Sequence, residues 1–131
     1  SSNLNRYNIL IDDGTYDEVN INLPNYVNLV GASGIRENCI INGELEPSAS
    51  DNDMSGTSTI NMNYNNELHN LTVIGKNLRY PVHDETNGVF TDWVQVVDNC
   101  VIEHKGNQEV VDYLFEAMKD VFSRRTFSTS W

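Results

Sequence analysis

Three short polar segments carry the side chains best suited to chemistry in this sequence. They are His83-Asp84-Glu85, Asp92-Trp93 and Glu103-His104. Imidazoles and carboxylates are metal ligands, and the carboxylates of Asp84 and Asp92 are also candidates for acid–base catalysis. An indole ring beside carboxylates suits a neutral glycan, because the ring packs on the dry face of a sugar while the carboxylates bind its hydroxyl groups. We therefore predict a glycan contact through His83, Asp84, Glu85, Trp93 and His104, with local hydrogen bonding in turns as the alternative.

A second candidate site lies in the polar stretch 44–57, where Asp51 and Asp53 follow Glu46. Carboxylate oxygens are the ligands that calcium prefers, and the ion takes about six to eight of them. The spacing is much sparser than that of an EF-hand loop. We therefore expect a mobile, solvent-facing loop and no cofactor, and keep Asp51 and Asp53 as the candidates for Ca²⁺.

Short β-strands are the elements that must position these residues. Apolar, β-branched runs separated by turn residues predict strands at 7–11, 19–23, 27–30, 39–41, 58–62, 71–74, 80–83, 94–97 and 100–102. Residues 12–15 have the composition of a turn. The hairpin dipeptides Asp13-Gly14, Asn42-Gly43 and Asn87-Gly88 leave an antiparallel sandwich open as an alternative fold.

An internal repeat favours parallel, stacked turns of chain over a sandwich. Segments of the form Asn, apolar, any residue, β-branched begin at Asn38, Asn70 and Asn99, about thirty residues apart. Stacked Asn side chains can bond one another, because each amide carries both donors and an acceptor. The same stacking would bring His83 and His104 near each other on successive turns.

The last part of the chain has a different pattern. Apolar residues between 108 and 122 recur at helical spacing, which predicts an amphipathic helix that packs on the strands. We therefore divide the chain into a β-rich part, 1–107, and a helical segment with a truncated continuation of the strands, 108–131. The two cysteines, Cys39 and Cys100, lie in apolar runs and are expected to be buried thiols rather than a disulfide.

Composition narrows the function classes. The chain has 131 residues with 8 Lys+Arg against 19 Asp+Glu, a formal net charge of -11. A nucleic-acid binder needs a basic face, and anionic membrane surfaces attract basic segments, so both partners are disfavoured. No apolar run is long enough to span a bilayer.

The strand segments resemble the opening turns of the pectin-lyase-like superfamily. The likeness lies in 14–18 (Gly-Thr-Tyr-Asp-Glu), 21–24, 27–31 and 39–43 (Cys-Ile-Ile-Asn-Gly). Segments 68–73, 79–84 and 103–107 are similar to phage tail and baseplate proteins that carry such a domain. The resemblance implies an all-β fold, a right-handed parallel β-helix (solenoid), completed here by the C-terminal amphipathic helix.

The resemblance also implies two functions. The first is a structural and host-recognition module of a phage tail or baseplate, located in the virion or outside the cell. Its partners would be cell-surface polysaccharide and further copies of the chain or neighbouring virion subunits, which would cover the ends of what we expect to be a fragment or an assembled piece. The alternative is a polysaccharide-active enzyme, either a depolymerase or a carbohydrate esterase.

The esterase alternative depends on Asp112. Pectin methylesterases carry a nucleophilic Asp in a V-D-F-I-F-G strand, and 111–115 (Val-Asp-Tyr-Leu-Phe) is similar to it. Glu116 stands where that family has Gly, and no Q-D-T-L segment is present. These departures lead us to lean away from an enzyme, with Asp84, Asp92 and Asp112 as the catalytic candidates.

Overall fold

The computed structural model describes residues 6–86 and 94–105 and the strand Thr126–Thr129. Its strands are β1 (Tyr7–Ile11), β2 (Gly14–Asp17), β3 (Ile21–Asn22), β4 (Val27–Gly31), β5 (Cys39–Glu44), β6 (Ser58–Met62), β7 (Glu67–His69), β8 (Thr72–Lys76), β9 (Tyr80–Asp84), β10 (Val96–Lys105) and β11 (Thr126–Thr129). The helical elements are a 3₁₀ turn, η1 (Arg36–Asn38), and one helix, α1 (Asp51–Gly56). The described residues therefore form a mostly-β fold, as predicted.

The strands form three ladders in which every described pairing is parallel. The first ladder runs β1-β4-β7-β10 with β11 also on β10, the second runs β2-β5-β8-β10, and the third runs β3-β6-β9. The chain visits the ladders in the same order each time, so we call β1–β3 the first layer, β4–β6 the second and β7–β9 the third. Strand β10 spans both the first and the second ladder. Parallel pairing excludes the antiparallel sandwich for the described residues.

Apolar side chains in register form the core between the ladders. In the first ladder Ile9, Leu29, Leu68 and Val97 lie in one row. A corresponding row of the second ladder holds Tyr16, Ile41, Val73 and Ile102, and the third ladder adds Ile21, Ile60 and Val82. The exposed fraction in the first row falls from 48% at Ile9 to 4% at Leu29 and 0% at Leu68. Core residues in this row are therefore buried where a described strand lies on both sides of them, whereas Ile9 has only β4 beside it.

The bend from the first ladder to the second is built by the Asn repeat. Asn70 and Asn99 have positive φ (61° and 51°), a conformation that Asn tolerates better than most residues. Asn99 Nδ2 donates to Asn70 Oδ1 at 2.8 Å, which confirms the predicted stacking for this pair. Asn38 does not join the stack, because it ends the exposed turn η1. Gly31 occupies the corner that aligns with Asn70, where the Asn70 carbonyl leaves no space for a Cβ.

The two cysteines are free and buried, as predicted. The β5–β8 and β8–β10 registers place Leu71 between them. Two ladder steps separate their Cα atoms by about 10 Å. A disulfide needs roughly 4.4–6.8 Å, so the register itself prevents a bridge.

Three local predictions differ from the structure. The expected loop 44–57 contains helix α1, which begins because Ser50 Oγ accepts a hydrogen bond from the Asp53 N–H at 3.1 Å. The expected turn 12–15 is shorter, because Gly14 and Thr15 pair with β5. The predicted strand 19–23 shrinks to Ile21–Asn22.

The predicted C-terminal helix, 108–122, lies outside the described residues. Within the described part of the chain, no helix is long and apolar enough to cross a bilayer.

Candidate functional site

A polar row runs across the outer face of the third ladder. Ile21, Ile60 and Val82 face the core, so the next residue along each strand, Asn22, Asn61 and His83, faces outward. Asn61 Nδ2 donates to Asn22 Oδ1 at 2.7 Å, and His83 is the register partner of Asn61. The row therefore places amide and imidazole groups side by side, with Asn61 buried in its middle and Asn22 and His83 accessible at its ends.

His83 is held in place by its neighbours. Its Nδ1 lies 2.7 Å from Glu85 Oε1, and its ring stacks on the ring of Tyr80 with centroids 5.1 Å apart and an interplanar angle of 10°. The Arg79 guanidinium lies over the Tyr80 ring at 4.6 Å. The His83 side chain is still 30% exposed and that of Glu85 is 45% exposed. This pair is oriented before any ligand arrives, and both side chains remain accessible.

Asp84 faces the other way from His83 and has local partners. Its Oδ1 accepts hydrogen bonds from the Thr86 N–H at 2.9 Å, from Thr86 Oγ1 at 2.6 Å and from Gln95 Nε2 at 3.2 Å. Gln95 is buried and also donates to the Asn63 carbonyl at 2.8 Å. Asp84 thus ties the end of β9 to the segment that precedes β10.

His104 belongs to a different ladder from His83. It pairs with Gly75 in the second ladder, whereas His83 pairs with Asn61 in the third, so the two imidazoles are not stacked on each other. His104 Nε2 lies 3.0 Å from the Leu78 carbonyl oxygen and therefore carries a proton. Its Nδ1 is buried and has no hydrogen-bond partner within the described part of the chain.

The metal candidates Asp51 and Asp53 lie in the first turn of α1 and are exposed. Acidic side chains stabilise this end of a helix, because its N–H groups are unpaired. Across 6–86 and 94–105, no three His, Cys, Asp or Glu side chains come together as a metal site. Asp92, Trp93 and Asp112 lie outside the described residues.

An acidic cavity of 380 Å³ lies beside the second ladder, at the ends of β2 and β5. Its lining residues are Asp17, Glu18, Val19, Asn42, Glu44 and Glu46. Asn42 Nδ2 donates to Asp17 Oδ1 at 3.0 Å, and the Lys76 ammonium lies 3.2 Å from Glu44. Among these lining residues, only Glu46 was singled out from the sequence, as one of the acidic residues beside the calcium candidates.

A cluster around His69 was not predicted from the sequence. His69 Nε2 lies 2.8 Å from Glu67 Oε1, and His69 Nδ1 lies 3.4 Å from Asp98 Oδ2. The Arg6 guanidinium lies 3.4 Å from Glu67 Oε2 and 5.4 Å from the Tyr26 ring centroid. The Asn70–Asn99 alignment holds the signal that could have found the pair, because the residues before these two are His69 and Asp98.

The two thiols are unsuited to nucleophilic chemistry. Burial raises the pKa of Cys100 from 9.0 to about 11, and burial followed by the charges of Asp13 and Asp12 raises the pKa of Cys39. The thiolate is the reactive form of cysteine, and both side chains are therefore protonated at neutral pH.

Comparison with protein-family models, curated proteins and solved structures finds no match to this chain.

Proposed function

We propose that the chain is a right-handed parallel β-helix module of a phage tail or baseplate, and that it contacts a cell-surface glycan. The β-helix is supported by one observation: successive segments of the chain add a parallel strand to each of the three ladders in the same order. Connections between parallel strands of one sheet are right-handed in about 98% of cases, which supports the hand. The tail or baseplate context is supported by the resemblance of the strand segments.

The glycan contact is proposed for the outer row of the third ladder, with His83 and Glu85 as its centre. His83 is fixed by Glu85 and Tyr80, so little of its side-chain entropy is lost on binding. Amide, imidazole and carboxylate groups bond sugar hydroxyls without needing a charged ligand. The net charge of -11 favours a neutral glycan over an anionic one. Asp84 and Trp93 remain predicted contributors, and Asp84 would act indirectly, by fixing the end of β9. His104, also predicted from the sequence, lies on the second ladder and is not part of this row.

A glycan array with the 131-residue chain tests this proposal. The structure offers a matched control, because His69 and Glu67 form a second His–carboxylate pair two residues apart at 2.8 Å on the first ladder. We expect His83→Ala with Glu85→Ala to lose the array signal, and His69→Ala with Glu67→Ala to keep it. Equal loss in both double variants, or no signal for the wild-type chain, would contradict the proposed site.

The acidic cavity favours a second candidate function, a polysaccharide-active enzyme. Glycoside hydrolysis uses two carboxyl groups roughly 5 to 9.5 Å apart, and the cavity holds four carboxylate side chains. Release of reducing ends or of methanol from capsular or pectic polysaccharide would establish this function. Asp17→Asn and Glu44→Gln should then abolish turnover, and Asp84→Asn, Asp92→Asn and Asp112→Asn test the residues chosen from the sequence.

A further inference from the structure

One cationic side chain, that of Arg79, has no carboxylate partner within the described part of the chain. Residues 6–86 and 94–105 contain five Lys and Arg residues, and four of them form ion pairs at 3.2–3.9 Å. These pairs are Arg6–Glu67, Arg36–Glu37, Lys76–Glu44 and Lys105–Glu103. The partly exposed Arg79 contacts an aromatic ring instead. Its guanidinium therefore keeps its N–H donors for another partner.

The aromatic stack of the proposed glycan site orients Arg79. The guanidinium carbon lies 4.6 Å from the centroid of the Tyr80 ring. That ring stacks on His83, whose Nδ1 lies 2.7 Å from Glu85 Oε1. A cation is attracted to the face of an aromatic ring without forming a hydrogen bond to it. Arg79 is thus held in the same cluster as His83 and Glu85, with its donors unpaired among the described residues.

The charged groups of this cluster have opposite hydrogen-bonding character. The guanidinium of Arg79 only donates, and the ionised carboxylate of Glu85 only accepts. A hydroxyl group does both, so a sugar can accept from Arg79 and donate to Glu85. The rigid fork of a guanidinium presents two parallel N–H groups. Hydroxyl oxygens on adjacent ring carbons can accept from both at once, whereas an isolated hydroxyl engages only one of them.

We propose that Arg79 binds a pair of adjacent hydroxyl groups on a neutral glycan, and that Glu85 accepts from another hydroxyl of the same glycan. This inference rests on the proposed glycan contact and names its ligand class. A ligand carboxylate would also match the fork of Arg79. Glu85 and the formal net charge of -11 repel such an anion, so the neutral ligand is favoured.

Immobilised polysaccharides with different hydroxyl patterns test the ligand class with the 131-residue chain. Dextran, mannan and pectic galactan are neutral and present adjacent free hydroxyls. Curdlan is a neutral glucan in which the linkage occupies the middle hydroxyl of each glucose, so no two free hydroxyls of a residue within the chain are adjacent. We expect binding to at least one of the first three and none to curdlan. Periodate oxidation followed by borohydride, which cleaves adjacent diols, should abolish the signal.

Two variants test the role of Arg79 in this binding. Arg79→Lys keeps a cation for the Tyr80 ring but lacks the fork, so binding should weaken at least about tenfold while the unfolding midpoint stays that of the wild type. Arg79→Met covers the ring without any donor and should remove the signal. Arg36→Met is the matched control, because Arg36 is also partly buried, with 26% of its side chain exposed, and lies beside Glu37 in η1. It should bind like the wild type.

Wild-type binding that persists unchanged in both Arg79 variants, or a curdlan signal equal to that of dextran, would overturn the inference and leave the glycan contact standing. Binding confined to polygalacturonate and weakened by salt would also overturn it, because a carboxylate would then be the ligand. A wild-type chain that binds no polysaccharide in this set and no glycan on the array would contradict the proposed function itself, and the inference with it.

Discussion

The corner formed by Asn70 and Asn99 gives the sharpest test of the stacked repeat. Asn70→Ala removes the acceptor of the 2.8 Å bond from Asn99 and the donor to the Gly31 carbonyl at 3.4 Å. Losing the short bond costs about 1 kcal/mol. Alanine at φ 61° adds about 1–2 kcal/mol, because it lacks the short polar side chain whose local hydrogen bonding lets Asn adopt this left-handed conformation. We therefore expect the free energy of unfolding to fall by about 2–3 kcal/mol.

Two companion variants separate these contributions. Asn70→Gly loses the same hydrogen bonds but adopts positive φ without strain, so it should be about 1 kcal/mol less costly than Asn70→Ala. Asn38→Ala should change stability by less than about 0.5 kcal/mol, because Asn38 is exposed and outside the stack. Urea unfolding of the three variants, with midpoints compared at a common slope, measures the differences. An Asn38→Ala variant as costly as Asn70→Ala, or a glycine worse than alanine at position 70, would refute the stacked corner.

Three further predictions follow from burial. Gly31→Ala should destabilise the fold by more than about 2 kcal/mol, because the main chain of Asn70 occupies the position of the new Cβ. Gly56→Ala should be neutral or stabilising, because the space around Gly56 is open. Thermal unfolding of the two variants measures the difference. Leu68→Ala should cost about 2–5 kcal/mol and Ile9→Ala, in the same row but 48% exposed, less than half of that; equal costs in urea would contradict the layered core. The Cys100 pKa of about 11 lies above the unfolded value of 9.0, so the unfolded chain loses the thiol proton first and stability falls as pH rises from 9 to 11. The wild-type chain should lose about 2–3 kcal/mol more of its free energy of unfolding over this range than Cys100→Ala. Parallel pH profiles of the two proteins would refute the assignment.

Much of the strand pattern was predictable because side-chain alternation is a local property. Strands β1 and β6 lie where the apolar runs placed them, at 7–11 and 58–62. Strand β2 was not predicted, because Asp13-Gly14 has turn composition, and only the pairing with β5 makes Gly14 a strand residue. Helix α1 was missed because it has no buried apolar face and begins at a single capping bond, which Ser50 Oγ accepts from the Asp53 N–H.

The candidate site was harder to predict, because register across ladders decides which polar residues meet. The His83–Glu85 pair is local and could be found by spacing, whereas His69 meets Asp98 only because the chain returns to the same ladder. The segments that connect one ladder to the next also differ in length from layer to layer. A fixed offset of about thirty residues therefore cannot place His104 relative to His83.

The unequal spacing between layers of the third ladder has a practical consequence. Ile21 pairs with Ile60, an offset of 39 residues, and Ile60 pairs with Val82, an offset of 22. The pairing is parallel at both offsets. The extra residues of the second layer form the surface excursion 45–57 between β5 and β6, which contains α1. Foreign peptides inserted between Pro47 and Ser48, ahead of the Ser50 cap of α1, would therefore be displayed on a rigid support as a tag or an epitope.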